Sequence, residues 1–332
     1  MTLIILLTLI FNVNTEAQKL NMPYEIDQLL EASSIQYENN VLGKKVIREQ
    51  IHLMSPIILN TPMHWGENDL KKIEESEYSH HNRIDLAKAY FAKGNLKKSF
   101  KVAKENLATG EDKGQTYDLM GMISLEFGKI EQAKFWFNQA LVINQCDYFA
   151  NWKLAELELK EGNIEKALKL GIRSHVLNRN NLQILQFLEE VTNRKGGKYL
   201  HWSFNPQYEL ERGEGGSISI NANEEPWINY GKCKAMWTYE KDYALTKTSD
   251  PERNTIIQEK ECLLSGLIGY EHSKQKLPEY EALKEAIDHN MIDVYILYEI
   301  ILVNSPLEAY ALTIEEIDGM TDYIFEVRLH YP

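Results

Sequence analysis

The chain is short of several things that usually announce a function. It carries three cysteines in 332 residues, Cys146, Cys233 and Cys262, too few for a disulfide framework and without the paired spacing of a zinc site. Cys233 and Cys262 can pair if the chain is exported, which leaves Cys146 over; three small buried hydrophobes are the other reading. Positive charge is scarce, with 36 Lys and Arg against 49 Asp and Glu and a net charge of −13. A field of that sign opposes phosphate backbones and anionic membranes, so nucleic acid is excluded as the main partner. Lys93, Lys97, Lys98, Lys101 and Lys104 cluster locally, and read as a solvated helix face. No cofactor fingerprint is present, because the glycine-rich Arg212-Gly-Glu-Gly-Gly-Ser217 lacks the Lys-Ser/Thr ending of a phosphate loop. After residue 13 no apolar run is long enough to span a bilayer. Wholesale disorder is excluded in turn, since 44% of the residues are hydrophobic and 26% charged, an ordinary globular balance.

What the sequence does have is a period. Gly94, Gly128 and Gly162 recur every 34 residues, and other columns follow at the same offset: Leu86, Met120 and Leu154; Ala87, Gly121 and Ala155; Leu96, Ile130 and Ile164; Ser99, Ala133 and Ala167; Val102, Trp136 and Leu170. Small residues belong where two helices cross closely. The glycines belong where a first helix ends and the chain reverses with positive φ. The larger apolar residues fill the seam between successive hairpins, which cannot bury their faces alone. The pattern predicts stacked helix–turn–helix units.

These residues resemble the tetratricopeptide-repeat family over about residues 80–180. The second copy matches best, with Tyr117, Met120, Gly121, Gly128, Ala133, Phe137 and Ala140 at the family's aromatic, Leu, Gly and Ala positions. Gly94, Ala155, Gly162 and Ala167 hold equivalent places in the outer copies. The first copy departs at Ser99, Ala103 and Asn106, the third at Glu158, Gly171 and Ser174, and the family's proline after the second helix is missing from all three. The resemblance implies an all-α, right-handed helix–turn–helix solenoid, with a helical N-terminal cap and a helical C-terminal extension. It also implies a concave face lined by first helices: His81, Ile84, Lys88 and Phe91, then Gln115, Asp118, Met122 and Leu125, then Phe149, Trp152, Glu156 and Leu159. Ile84 and Lys88 stand where the carboxylate-clamp version of the family wants Lys and Asn, which disfavours grip on acidic C-terminal tails.

Around the array the chain divides as follows. Residues 3–13 form an apolar run suited to the core of a secretory signal, and Thr15-Glu16-Ala17 offers a cleavage site that makes 1–17 a signal peptide. Residues 18–79 read as a helical lead-in, with helices at 24–37, 44–54 and 67–77, the last capping the array. Residues 80–193 hold three repeats and a closing helix, and 194–225 a loop or short β-ribbon. Residues 226–332 read as a helical region, with Pro226 in a first turn and Trp227, Tyr230, Lys234 and Trp237 along one core-facing side. Helices are predicted at 254–273, at 278–304 with a break near His289-Asn290, and at 314–329.

The expectation is therefore an exported, periplasmic or secreted bacterial scaffold, with a cytoplasmic scaffold as the alternative if residues 1–17 are not a signal peptide. It is a non-enzymatic module that binds a protein or peptide segment, with no cofactor, no metal, no integral membrane segment after signal removal, and an oligomeric state left open. Ile84, Lys88, Phe91, Asp118, Met122, Leu125, Phe149, Trp152 and Glu156 are its candidate groove residues. The chain's own tail filling that groove is the competing occupant. The competing function is an enzyme with a hydrolytic or metal site in the C-terminal helices, where Glu261, Glu271, His272, Asp288, His289 and Glu299 supply acids and bases. His80-His81 reads as a solvated loop pair.

Overall fold

A computed structural model describes residues 20–46, 81–109, 112–247, 256–273 and 275–331. The expected signal peptide, the helix at 67–77 with its capping role, most of the helix at 44–54, and His80 all fall outside those residues. Helix α1 spans Pro23–Ala32 and strand β1 Tyr37–Val41. Then come α2 (His81–Ala92), α3 (Leu96–Thr109), α4 (Lys113–Glu126), α5 (Ile130–Ile143), α6 (Tyr148–Lys160), α7 (Ile164–Leu177) and α8 (Leu182–Arg194). Strands β2 (Lys198–Tyr199), β3 (Tyr208–Arg212) and β4 (Ile218–Ala222) lead into α9 (Glu225–Tyr239), α10 (Lys241–Lys247), α11 (Ile256–Tyr270) and α12 (Pro278–Asp288). Helix α13 starts at Ile292 and runs through a π-helical stretch, Leu297–Ile301, to Asn304. The chain ends in α14 (Ile314–Tyr323), a second π-helical stretch and strand β5 (Leu329–His330). The fold is an all-α helical repeat solenoid with small sheets attached, and it separates into two compact units.

The first unit holds residues 81–200 and 305–331 of the described chain. Helices α2 and α3, α4 and α5, and α6 and α7 pack as hairpins, and each hairpin packs on the next. All three turns close identically. Gly94, Gly128 and Gly162 have φ of +74°, +69° and +83°. Each glycine N–H donates to the carbonyl three residues back, and the following N–H donates to the carbonyl five residues back: Gly128 to Leu125 at 2.8 Å and Lys129 to Ser124 at 2.8 Å. This Schellman arrangement satisfies the last helical carbonyls and needs a left-handed residue, hence glycine. A fourth copy follows that the columns above do not reach. Gly196 has φ +89° and donates to Asn193 at 3.0 Å, while Gly197 donates to Thr192 at 3.0 Å. The closing helix α8 is thus the first half of a fourth hairpin.

Gly121 is needed for a different reason. A Cβ there would sit 2.6 Å from the Phe137 ring, so the absent side chain sets how closely α4 and α5 approach. Ile84, Ala87, Ala103, Leu119, Met120 and Ile123 form one buried cluster across the first two repeats, which is the shared interior a solenoid requires.

The departures from the repeat pattern are compensated. Ser99 donates its hydroxyl to the Ala87 carbonyl at 2.7 Å, and Ser174 to the Tyr148 carbonyl at 2.8 Å. Asn106 donates to the Thr116 hydroxyl at 2.9 Å. At Gly171 the Phe187 ring of α8 packs 3.0 Å from where a Cβ would stand. Glu158 accepts from Asn163 and Lys166, each at 2.8 Å, with Lys134 at 3.3 Å. Burial alone would raise the Glu158 pKa, but these three donors outweigh it and lower it to about 2.

Instead of a second helix, the fourth hairpin has the chain's own end. Strand β2 pairs antiparallel with β5, Arg328 donates to the Leu200 carbonyl at 2.7 Å, and α14 packs on α7, where Arg173 meets Asp318 at 2.8 Å. This corrects the reading of 226–332 as one C-terminal region, because residues after 304 close the array.

The other unit holds residues 20–46 and 201–304. Helix α9 is its axis, with α1, β3, β4 and α11 packed around it. The 194–225 segment forms a ribbon, β3 antiparallel to β4, and β1 adds a parallel strand on the far side of β4. That corrects the helix expected over 24–37. It stops at Ala32, Ser33 takes up a local turn by accepting from the Ile35 N–H at 2.9 Å, and Tyr37–Val41 pairs with Ile218–Ala222. Lys44 to Val46 are not helical either. The break near His289-Asn290 is present, with Asn290 at φ +58°.

Candidate functional site

The expected groove residues separate into two sets. Ile84 is 3% exposed and belongs to the shared core. Phe149, equally buried, packs edge-on against Phe137 at 6.3 Å and Trp152 at 6.4 Å. Leu159 is buried as well. These three are interior, because the first helix of each repeat turns part of its surface into the seam with the next hairpin. Phe91, Met122, Leu125, Trp152 and Glu156 are half-buried. They come from the first helices of three consecutive repeats, α2, α4 and α6. Phe91 spends part of its ring on the core cluster.

Lysine 153, which sequence reasoning passed over, finishes this surface. Its Nζ lies 3.9 Å over the Trp152 ring and 3.1 Å from Glu156. The signal for it was adjacency, since Trp-Lys followed by Glu at the third position allows a cation–π contact and an i,i+3 pair. The Trp152 indole nitrogen has no hydrogen-bond partner among the described residues.

A buried polar cluster underlies the same helices. Lys88 donates to Gln115 at 2.7 Å. Burial lowers its pKa, against the pull of Asp85, Asp112 and Asp118. Asp118 is 2% exposed. Burial first, then the charge of Asp147 and a hydrogen bond to it, raises its pKa well above the usual carboxylate range, with Lys88 opposing. As two carboxylates, these side chains offer only acceptors to each other, and the Asp118 oxygens then lack a donor among the described residues. A proton on Asp118 turns the contact into a hydrogen bond. Asp147 is simultaneously the N-cap of α6, accepting from the Phe149 and Ala150 amides at 3.0 and 3.1 Å.

The acids and bases considered for an enzyme are dispersed. Glu261 is buried and accepts from Trp237 at 2.7 Å, Tyr243 at 2.6 Å and the Asn21 amide at 2.5 Å. Glu271 pairs with Lys284 at 3.0 Å. The His272 and His289 rings, just past the ends of α11 and α12, each turn Nδ1 to the carbonyl four residues back. Asp288 is exposed, and Glu299 is buried in the π-helical stretch. Among the described residues, no group of three His, Cys, Asp or Glu side chains is arranged to hold a metal ion.

A cleft of about 500 Å³ lies against α1, β1 and α9. Its polar wall is engaged internally, with Lys232 on Asp27 at 2.8 Å and Glu240 accepting from Ser33 at 2.5 Å and Tyr37 at 2.7 Å. Among the described residues no helix is long and apolar enough to cross a membrane. Comparisons with protein-family models, with curated proteins and with solved structures gave no match.

Proposed function

We propose that the chain is a non-enzymatic interaction module of tetratricopeptide type, which binds a peptide or helical segment of another protein along α2, α4 and α6. The observation that carries the reading is the set Phe91, Met122, Leu125 and Trp152, apolar side chains left half-buried on three consecutive first helices. An amphipathic helix presents anchors at the spacing such a row can accept, and a large aromatic such as Trp152 is the kind of side chain that supplies much of the binding energy. Lys153 and Glu156 at its edge would orient polar groups of the ligand. The end of the chain is a poor competitor for this face, because α14 packs on α7, a second helix. Export is part of the proposal, supported by the apolar run of residues 3–13, and intact-mass analysis of the secreted protein should find it beginning near Gln18.

The test is a selection of helical peptides from a displayed library against the full-length protein, followed by titration of the winners. Trp152→Ala should weaken them by roughly thirty-fold, a hot-spot loss of about 2 kcal/mol, while circular dichroism stays native. Peptides that bind Trp152→Ala and Phe91→Ala as tightly as the parent would refute the proposed face.

A further inference from the structure

Helices α9 and α11 run antiparallel in unusually close contact. A Cβ at Gly266 would lie 3.0 Å from the Pro226 carbonyl oxygen, and one at Gly269 would lie 3.1 Å from that of Glu225. Further along the same crossing, the Cys262 Sγ and the Cys233 Sγ stand 2.7 Å apart. Both residues are fully buried. Their surroundings fix the register: Tyr230 donates to Glu259 at 2.7 Å and Trp237 to Glu261 at 2.7 Å, and the buried Lys234 ammonium is paired with Glu259. Aromatic and ionic contacts on both sides therefore hold the two sulfurs facing each other, nearer than unbonded sulfurs pack and beyond the roughly 2.0 Å of a covalent bond.

We infer that Cys233 and Cys262 are a modification site, and that they close to a structural disulfide joining α9 to α11 when the chain folds in the presence of a disulfide donor. With glutathione disulfide as donor the chemistry balances. The Cys262 thiolate attacks one glutathione sulfur, breaks the donor's S–S bond and expels one glutathione thiolate. The Cys233 thiolate then attacks the Cys262 sulfur of that mixed disulfide, forms the Cys233–Cys262 bond and expels the second glutathione. The protein gives up two protons and two electrons, and one glutathione disulfide becomes two thiols. Burial of both sulfurs means that the exchange occurs during folding, and that the finished bond is shielded from reductant. Cys146 belongs to the other unit, in the turn ahead of α6, and stays a thiol. The bond spans 29 positions, and a loop of that size lowers the unfolding equilibrium constant by roughly a hundred-fold or more.

The full-length protein is unfolded in reductant and refolded in a glutathione redox buffer, then denatured without reductant and alkylated. The expected result is one alkylated cysteine, Cys146, and a peptide linking Cys233 to Cys262 that loses its link on reduction. The oxidised protein should also need more urea to unfold than the reduced protein, a difference that disappears in the Cys233→Ser/Cys262→Ser double variant. Three alkylated cysteines after refolding, or a link that includes Cys146, would overturn the inference. Thiol counting on the unsubstituted chain decides the matter even if the double variant does not fold.

Discussion

Replacing Gly128 by Ala isolates what the repeat turn demands of the backbone. A Cβ at Gly128 meets nothing within 4 Å beyond its own chain neighbours, so the substitution clashes with no packed element. Its φ of +69° is the left-handed conformation, which costs an L-residue with a Cβ about 1–2 kcal/mol. If the alanine relaxes to negative φ instead, the Gly128–Leu125 and Lys129–Ser124 hydrogen bonds, both 2.8 Å, are lost at similar cost. Either route destabilises the array by about 1–2 kcal/mol, or about 2–4 °C in melting temperature for each kcal/mol in a unit of this size. Urea unfolding followed by circular dichroism reads the change. Gly128→Asn should recover much of it, since Asn tolerates that conformation. Gly114→Ala is the opposite control. It lies in the first turn of α4 without positive φ, its Cβ would meet only Ile143 at 4.0 Å, and alanine there should stabilise by about 0.5–1 kcal/mol. Gly196→Ala should match Gly128→Ala. A neutral Gly128→Ala, or a neutral Gly196→Ala beside a costly Gly128→Ala, would refute the equivalence of the four turns.

Three further outcomes follow from buried titratable groups. The raised pKa of Asp118 means that the folded array holds a proton the unfolded chain releases. Its contribution is greatest at low pH and is lost as pH rises from the ordinary carboxylate range toward the folded pKa. Asp118→Asn, which keeps a donor for Asp147, should flatten that slope and stabilise the protein above neutral pH by about 1 kcal/mol or more in urea titrations. His175 acts with the opposite sign. Burial, then Arg179 and Arg328, holds its pKa well below the usual value, so stability falls as pH drops through the histidine range, and His175→Gln should remove that loss. In the other unit, Glu259→Ala leaves the Lys234 ammonium buried without its carboxylate. It should cost about 3–5 kcal/mol, whereas a Tyr230→Phe/Lys234→Met/Glu259→Leu triple variant, which also removes the hydroxyl that donates to Glu259, should be near neutral; calorimetry distinguishes the two.

The array was legible because its causes are local and repeated. Positive-φ turns call for glycine and close crossings call for small residues, so both recur in the sequence. The fourth turn escaped because no second helix follows Gly196, which removes the columns that would have aligned. Strand β1 escaped for a different reason. Tyr37-Glu-Asn-Asn-Val has no alternation and faces mostly outward, and it is a strand only because Ile218–Ala222 pairs with it from far along the chain. The return of residues 305–331 to the array is likewise non-local. At the candidate site, residue positions on first helices were readable, but which of them face the seam depends on the neighbouring hairpin. That is why Ile84 and Phe149 proved to be core, and why the partnership of Asp118 with a capping residue of the next repeat went unseen.

Hydrogen exchange on the full-length protein, with and without a selected helical peptide, tests the proposed binding face most directly. The account predicts added protection in residues 83–92, 115–126 and 148–160, the first helices carrying Phe91, Met122, Leu125 and Trp152, with the second helices unchanged. Protection confined to α3, α5 and α7, or to residues 201–304, would contradict it.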